Sequence, residues 1–156
     1  MAAAGADLIL LETVNSVTEA KVGLEAARQA GLHCWVSFVC DEGGRLFTGE
    51  TMADAVKALA PLEPDVLLVN CAPPADATEG LRELVSVRGI RGEPCGLYPH
   101  IGRFDPPEWM FTEEYRPQEY LEEARRWVDM GARVVGGCCG TTPDHIAALA
   151  RGLRAT

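Results

Sequence analysis

Short runs of apolar residues alternate with helix start signals along the whole chain, and that alternation limits the fold more than any other feature. Gly5 to Thr13, His33 to Val39, Val66 to Asn70, Glu93 to Pro99 and Arg133 to Gly136 read as five strands. Val66 to Asn70, Val-Leu-Leu-Val-Asn, has no polar residue at alternate positions. Strands apolar on both faces belong in a parallel sheet covered by helices. The intervening segments carry helical spacing. Ser16-Val17-Thr18-Glu19 is a capping box, and Val17, Ala20, Leu24 and Ala27 form a stripe that stops at Gly31. A second helix runs from Thr51 to about Ala60 and stops at Pro61. Pro73-Pro74 leads into a third, with Leu81, Leu84 and Val85. Pro117 opens a fourth, with Tyr120, Ala124, Trp127 and Val128, which ends at Gly131. Thr142 as N-cap and Pro143 at the first helical position open the last, with Ile146, Leu149, Ala150 and Leu153. Five strands alternating with five helices predict an α/β fold with one parallel sheet. A doubly wound sheet and a portion of a barrel both fit this spacing. In both, ligands bind beyond the carboxyl ends of the strands. Glu12, Cys40, Asn70, Cys71, His100, Cys138 and Cys139 all fall at those ends.

The chemistry concentrates at the fifth end, Gly136-Gly137-Cys138-Cys139-Gly140. Neighbouring strand residues point to opposite faces, so two adjacent cysteines aim at one point only where the backbone leaves strand geometry, as the glycines permit. Cys71 closes another apolar run. Three thiolates from two strand ends suit a zinc ion with one position left open. A vicinal-dithiol redox pair is the other use of Cys138 and Cys139, and it gives Cys71 less to do. Cys34, Cys40 and Cys95 read as core thiols. A net charge of −9 argues against a nucleic-acid partner. No apolar run approaches the ~20 residues that span a bilayer, and Met1-Ala2-Ala3-Ala4-Gly5 lacks the basic flank of a signal peptide. The expected compartment is therefore the reducing cytoplasm, with the six cysteines as thiols.

The run from Gly136 to Ile146, with Val69-Asn70-Cys71 and Leu10-Leu11-Glu12-Thr13 upstream, resembles the homocysteine S-methyltransferase family. The resemblance extends along nearly the whole chain. It implies a (β/α)8 barrel, of which these five units resemble strands four to eight. A full barrel of this type needs about 250 residues, so the expectation for residues 1–156 is a single partial homocysteine-binding domain without its N-terminal strands. The sheet would then have two uncovered edges, inviting an oligomer or a complementing N-terminal half. A non-catalytic remnant is the alternative in that case.

The activity implied is methylation of the homocysteine thiol to give methionine. Zinc would be held by Cys71, Cys138 and Cys139, and a small-molecule methyl donor would be a sulfonium, a quaternary ammonium or a cobalt cofactor. Glu12 matches the family glutamate that meets the substrate amino group. Asn70 is expected at the substrate or orienting the neighbouring ligand. Ser37 is expected to satisfy a local backbone group. His100, in Tyr98-Pro99-His100 where many relatives show Tyr-Pro-Asn, is expected at the substrate or the metal; His33 and His145 read as structural. The loop from Ile101 to Thr112 is long for such a connection and reads as a lid.

Overall fold

A computed structural model describes residues 1–87, 92–110 and 115–153. Among these, the main elements are β1 (Leu8–Val14), α1 (Val17–Gln29), β2 (His33–Phe38), α2 (Met52–Leu59), β3 (Val66–Asn70), α3 (Pro74–Val87), β4 (Cys95–Tyr98), β5 (Arg103–Asp105), β6 (Glu108–Met110), α4 (Pro117–Met130), β7 (Val134–Val135) and α5 (Pro143–Gly152). Five of the strands form one parallel sheet in the order β1-β2-β3-β4-β7, so each βα unit lies beside the one before it. That is the arrangement of consecutive units in a (β/α)8 barrel, and the fold is α/β as the alternation predicts.

The helix starts follow the side-chain chemistry. The Ser16 hydroxyl accepts from the Glu19 N–H, while the Glu19 carboxylate reaches back one residue further than expected, to the Asn15 N–H. Thr51 and Asp54 make a complete reciprocal capping box on α2. On α5 a histidine takes the carboxylate's place. His145 Nδ1 accepts from the Thr142 N–H at 3.1 Å, and its Nε2 faces the Tyr115 carbonyl at 2.8 Å, where it can donate. The structural reading of His145 agrees with this placement.

The two faces of the sheet differ. Ile9, Leu11, Cys34, Val36, Phe38, Leu67, Val69, Cys95 and Leu97 point to the helices and join one large core with Leu24, Leu59, Leu81, Tyr120 and Trp127. The concave face carries a smaller cluster of Val66, Leu68 and Tyr98, with Trp35, Val134 and Cys138 against it. On β1 this face is open: Leu8 and Leu10 are each 39% exposed. A strand apolar on both faces was expected to be buried on both, and here only the helix side is covered.

Several strand boundaries shift. The first strand begins at Leu8, the fourth is confined to Cys95–Tyr98 and the fifth to two residues. The fifth lies close against its neighbour, where a Cβ at Gly96 would be 1.9 Å from the Val134 carbonyl oxygen. The segment read as a long lid loop from Ile101 to Thr112 contains an antiparallel hairpin, β5 with β6, turning at Pro106-Pro107. Phe111 and Thr112 lie outside the described residues.

Candidate functional site

The carboxyl ends of β3 and β7 lie two strands apart, with β4 between them. For their cysteines to meet, both chain segments must turn. Cys71 does so by adopting φ +52°, a left-handed backbone that residues with a Cβ rarely take. After Val135 the second segment leaves the sheet, and its backbone is tied to the strand end beside it. Gly136 N–H donates to the Leu97 carbonyl, Cys138 N–H to Pro99, and Ile101 N–H to the Cys139 carbonyl. Buried Tyr120 adds a bond from its hydroxyl to the Gly136 carbonyl at 2.7 Å. Gly140 must be glycine, having φ +86° and the Ile101 carbonyl oxygen 2.2 Å from the place of a Cβ.

The sulfurs then converge. Sγ of Cys139 lies 4.0 Å from that of Cys71 and 3.9 Å from that of Cys138, and all three fall within 4.8 Å of one another. Tetrahedral zinc with Zn–S bonds near 2.3 Å needs sulfurs about 3.8 Å apart. The spacing fits a metal ion held by three thiolates, and the group of Cys71, Cys138 and Cys139 can hold one. Burial first, then the neighbouring sulfurs, push the Cys71 thiol well above its ordinary value; burial is also the main cause of the rise at Cys138. In contrast, Cys34, Cys40 and Cys95 are buried and take no part. Burial pushes Cys34 to about 11 and Cys40 to about 12, so both are inert thiols, as expected.

Glu12 projects from the concave face at the end of β1, exposed to solvent. The register between β1 and β2 slips between Leu11 and Val14, and Thr13 has φ +57°. Such a bulge re-aims a strand-end side chain. What holds it is Asn70, fully buried, whose Oδ1 accepts from the Thr13 N–H at 3.1 Å and the Ser37 hydroxyl at 2.7 Å, while its Nδ2 donates to Thr13 Oγ1 at 2.8 Å. Ser37 was expected to serve a backbone group and instead bonds this side chain. The clamp across β1, β2 and β3 was not foreseen; three polar residues at the ends of consecutive apolar runs were its only sequence signal.

Tyr98 stands on the concave face of β4, 8% exposed, with its hydroxyl buried and outside hydrogen-bond geometry to any partner among the described residues. Burial pushes its phenol up and the Glu12 carboxylate beside it pushes it further; the Ser37 hydroxyl is the other polar neighbour. His100 is not in the sulfur group. It lines a cleft of about 460 Å³ together with Cys71, Asp41, Glu42, Phe47 and Asp76. Burial, followed by Glu42 and Asp41, raises the Asp76 carboxyl, and His100 lowers it. No helix among the described residues is long and apolar enough to cross a membrane.

Several known proteins are similar to this sequence. It is 30% identical over 155 residues to a selenocysteine Se-methyltransferase of Brassica oleracea var. italica, covering 96% of this chain and 44% of that protein. It is 31% identical to homocysteine S-methyltransferase YbgG of Bacillus subtilis (strain 168), covering 98% and 50%. It is also 34% identical to a methionine synthase of Mycobacterium leprae (strain TN), covering 94% of this chain and 12% of that one. The chain thus spans about half the length of the separate methyltransferases it matches, 44% and 50%. A family profile described as homocysteine S-methyltransferase matches residues 1–153, and the chain belongs to the homocysteine S-methyltransferase family.

Proposed function

We propose that the chain carries the thiol-activating part of a zinc-dependent homocysteine S-methyltransferase, which forms methionine from homocysteine and a small-molecule methyl donor. The observation that carries this reading is the convergence of Cys71, Cys138 and Cys139 with one side open to solvent at Cys139. Zinc held there would lower the pKa of an incoming fourth sulfur, so that the substrate thiol is kept as a thiolate at neutral pH.

The chain's own groups do the positioning. Glu12 receives the substrate ammonium, an ionic hydrogen bond in a recess closed on one side by the sheet. Asn70 acts from behind, fixing the Thr13 backbone and hence the direction of Glu12. His100 faces the cleft beside Cys71, where a substrate group passing over that sulfur would meet it. Residues 1–156 act as one partial barrel domain in this reading, working in the cytoplasm, and the open concave face of β1 is where an oligomer partner or a complementing half would pack. Three sulfurs in mutual reach favour a metal over a dithiol redox pair, which needs only two.

The test is metal content. Reduced, purified protein should carry about one zinc per chain, and Cys71→Ala or Cys139→Ala should abolish it without unfolding the helices. Zinc content unchanged in both variants would sink the proposal, as would a reversible Cys138–Cys139 disulfide in protein that never takes up metal.

A further inference from the structure

Resting on the reading above, we infer that Tyr98 is a positioning residue for Glu12: its hydroxyl donates to the Glu12 carboxylate and so sets the site's grip on the amino end of the substrate. The starting point is a phenol that is buried without a partner among the described residues, on the concave face and next to the sulfur group. A buried polar group without a bond is destabilising, and native proteins rarely leave one. Two oxygens lie beside it, those of Ser37 and Glu12.

The two neighbours are unequal. Ser37 has one proton, already given to Asn70 Oδ1 at 2.7 Å, so toward Tyr98 it can only accept. Glu12 can also only accept, but as an anion it makes the stronger bond. The phenol's one proton therefore goes to the carboxylate. The ring itself has little freedom: it is buried and packs with Val66 and Leu68, with Trp35, Val134 and Cys138 against them. Glu12, by contrast, is exposed and on a bulge. The rigid partner selects the position of the mobile one. A carboxylate held by the phenol on one oxygen presents the other to an ammonium. Tyr98 thus acts through Glu12 and touches no reacting atom.

The test uses the zinc-loaded full chain and two ligands in titration calorimetry: homocysteine, and γ-mercaptobutyrate, which is homocysteine without the amino group. Tyr98→Phe should bind homocysteine about tenfold or more weakly, bind γ-mercaptobutyrate like the unmodified chain, and keep its zinc. Glu12→Gln should show the same selective loss, and the double variant should lose no more than the larger single effect. Equal homocysteine affinity in Tyr98→Phe overturns the inference, and so does equal weakening of both ligands, which would mark a packing role. If Tyr98→Phe fails to fold, fluorotyrosine incorporation replaces it: the Tyr98 fluorine resonance should move with homocysteine and stay put with γ-mercaptobutyrate, and movement with both or neither overturns it. Failure of the unmodified zinc-loaded chain to bind either thiol overturns the function reading itself, and the inference with it.

Discussion

At the scale of single residues, strain and clamping go together. Among the described residues, three with a Cβ adopt positive φ, and two of these, Thr13 and Cys71, flank the site. Left-handed backbone at such residues stores on the order of 1–3 kcal/mol and persists only where surroundings impose it. For Thr13 the imposing group is the Asn70 carboxamide, with its three bonds. Asn70→Ala should therefore destabilise the chain by about 2–4 kcal/mol in denaturant unfolding and weaken homocysteine binding while leaving zinc content unchanged. An unfolding midpoint within error of the unmodified protein would show that the clamp is dispensable. The cysteines were legible because two of them sit among glycines that contribute nothing to a core. Tyr98 was not, since an aromatic residue in an apolar strand looks like filler until its hydroxyl is seen to lack a partner. Asn70 was legible as a strand-end polar group, but its partners, 57 and 33 residues away in sequence, belong to tertiary structure.

At the scale of elements, the site depends on β7, the shortest strand of the sheet. Its two residues pair with Gly96 and Leu97 of β4, and the turn carrying Cys138 and Cys139 is tied to the chain just after β4 by hydrogen bonds and to α4 by the Tyr120 hydroxyl. The contact between Gly96 and Val134 leaves no room for a methyl group, and the obstacle is backbone that no rotamer change can move. Gly96→Ala should push β7 away from β4, at about 3 kcal/mol or more of stability. It should also take Cys138 and Cys139 out of reach of Cys71, so zinc binding and folding fail together. A variant that melts normally and retains zinc would show that β7 can shift without disturbing the sulfurs. Helix positions were readable from caps and apolar stripes. The β5–β6 hairpin escaped notice because three-residue strands lie below any periodicity test, although Asp105-Pro106-Pro107-Glu108 is a turn signal.

At the scale of the whole molecule, the alternation of apolar runs and helices fixed a parallel α/β sheet in advance, whereas the openness of its concave face was hidden. A run such as Leu8-Ile9-Leu10-Leu11 reads the same whether or not anything lies across from Leu8 and Leu10. The sulfur group couples β3 to β7 across β4, so metal binding should stabilise the sheet as a unit, by about 4 kcal/mol when free metal exceeds its dissociation constant a thousandfold. The sign of the pH dependence follows from the thiols. Cys71 and Cys138 are held above their ordinary values, mainly by burial, so these two thiols keep their protons at neutral pH when no metal is bound. A metal must displace those protons, and the metal-bound folded state carries fewer of them than the unfolded chain. The added stability is therefore present at higher pH and lost as pH falls, because protons then compete for the sulfurs. With three thiols released together, affinity should drop by up to roughly a thousandfold per pH unit on the acid side. Competition titrations with a zinc chelator between about pH 6 and 8, with melting followed in parallel, measure both slopes. A zinc affinity that stays flat across that range would mean that the ligands are not three protonated thiols, and the coupling between β3 and β7 would need another origin.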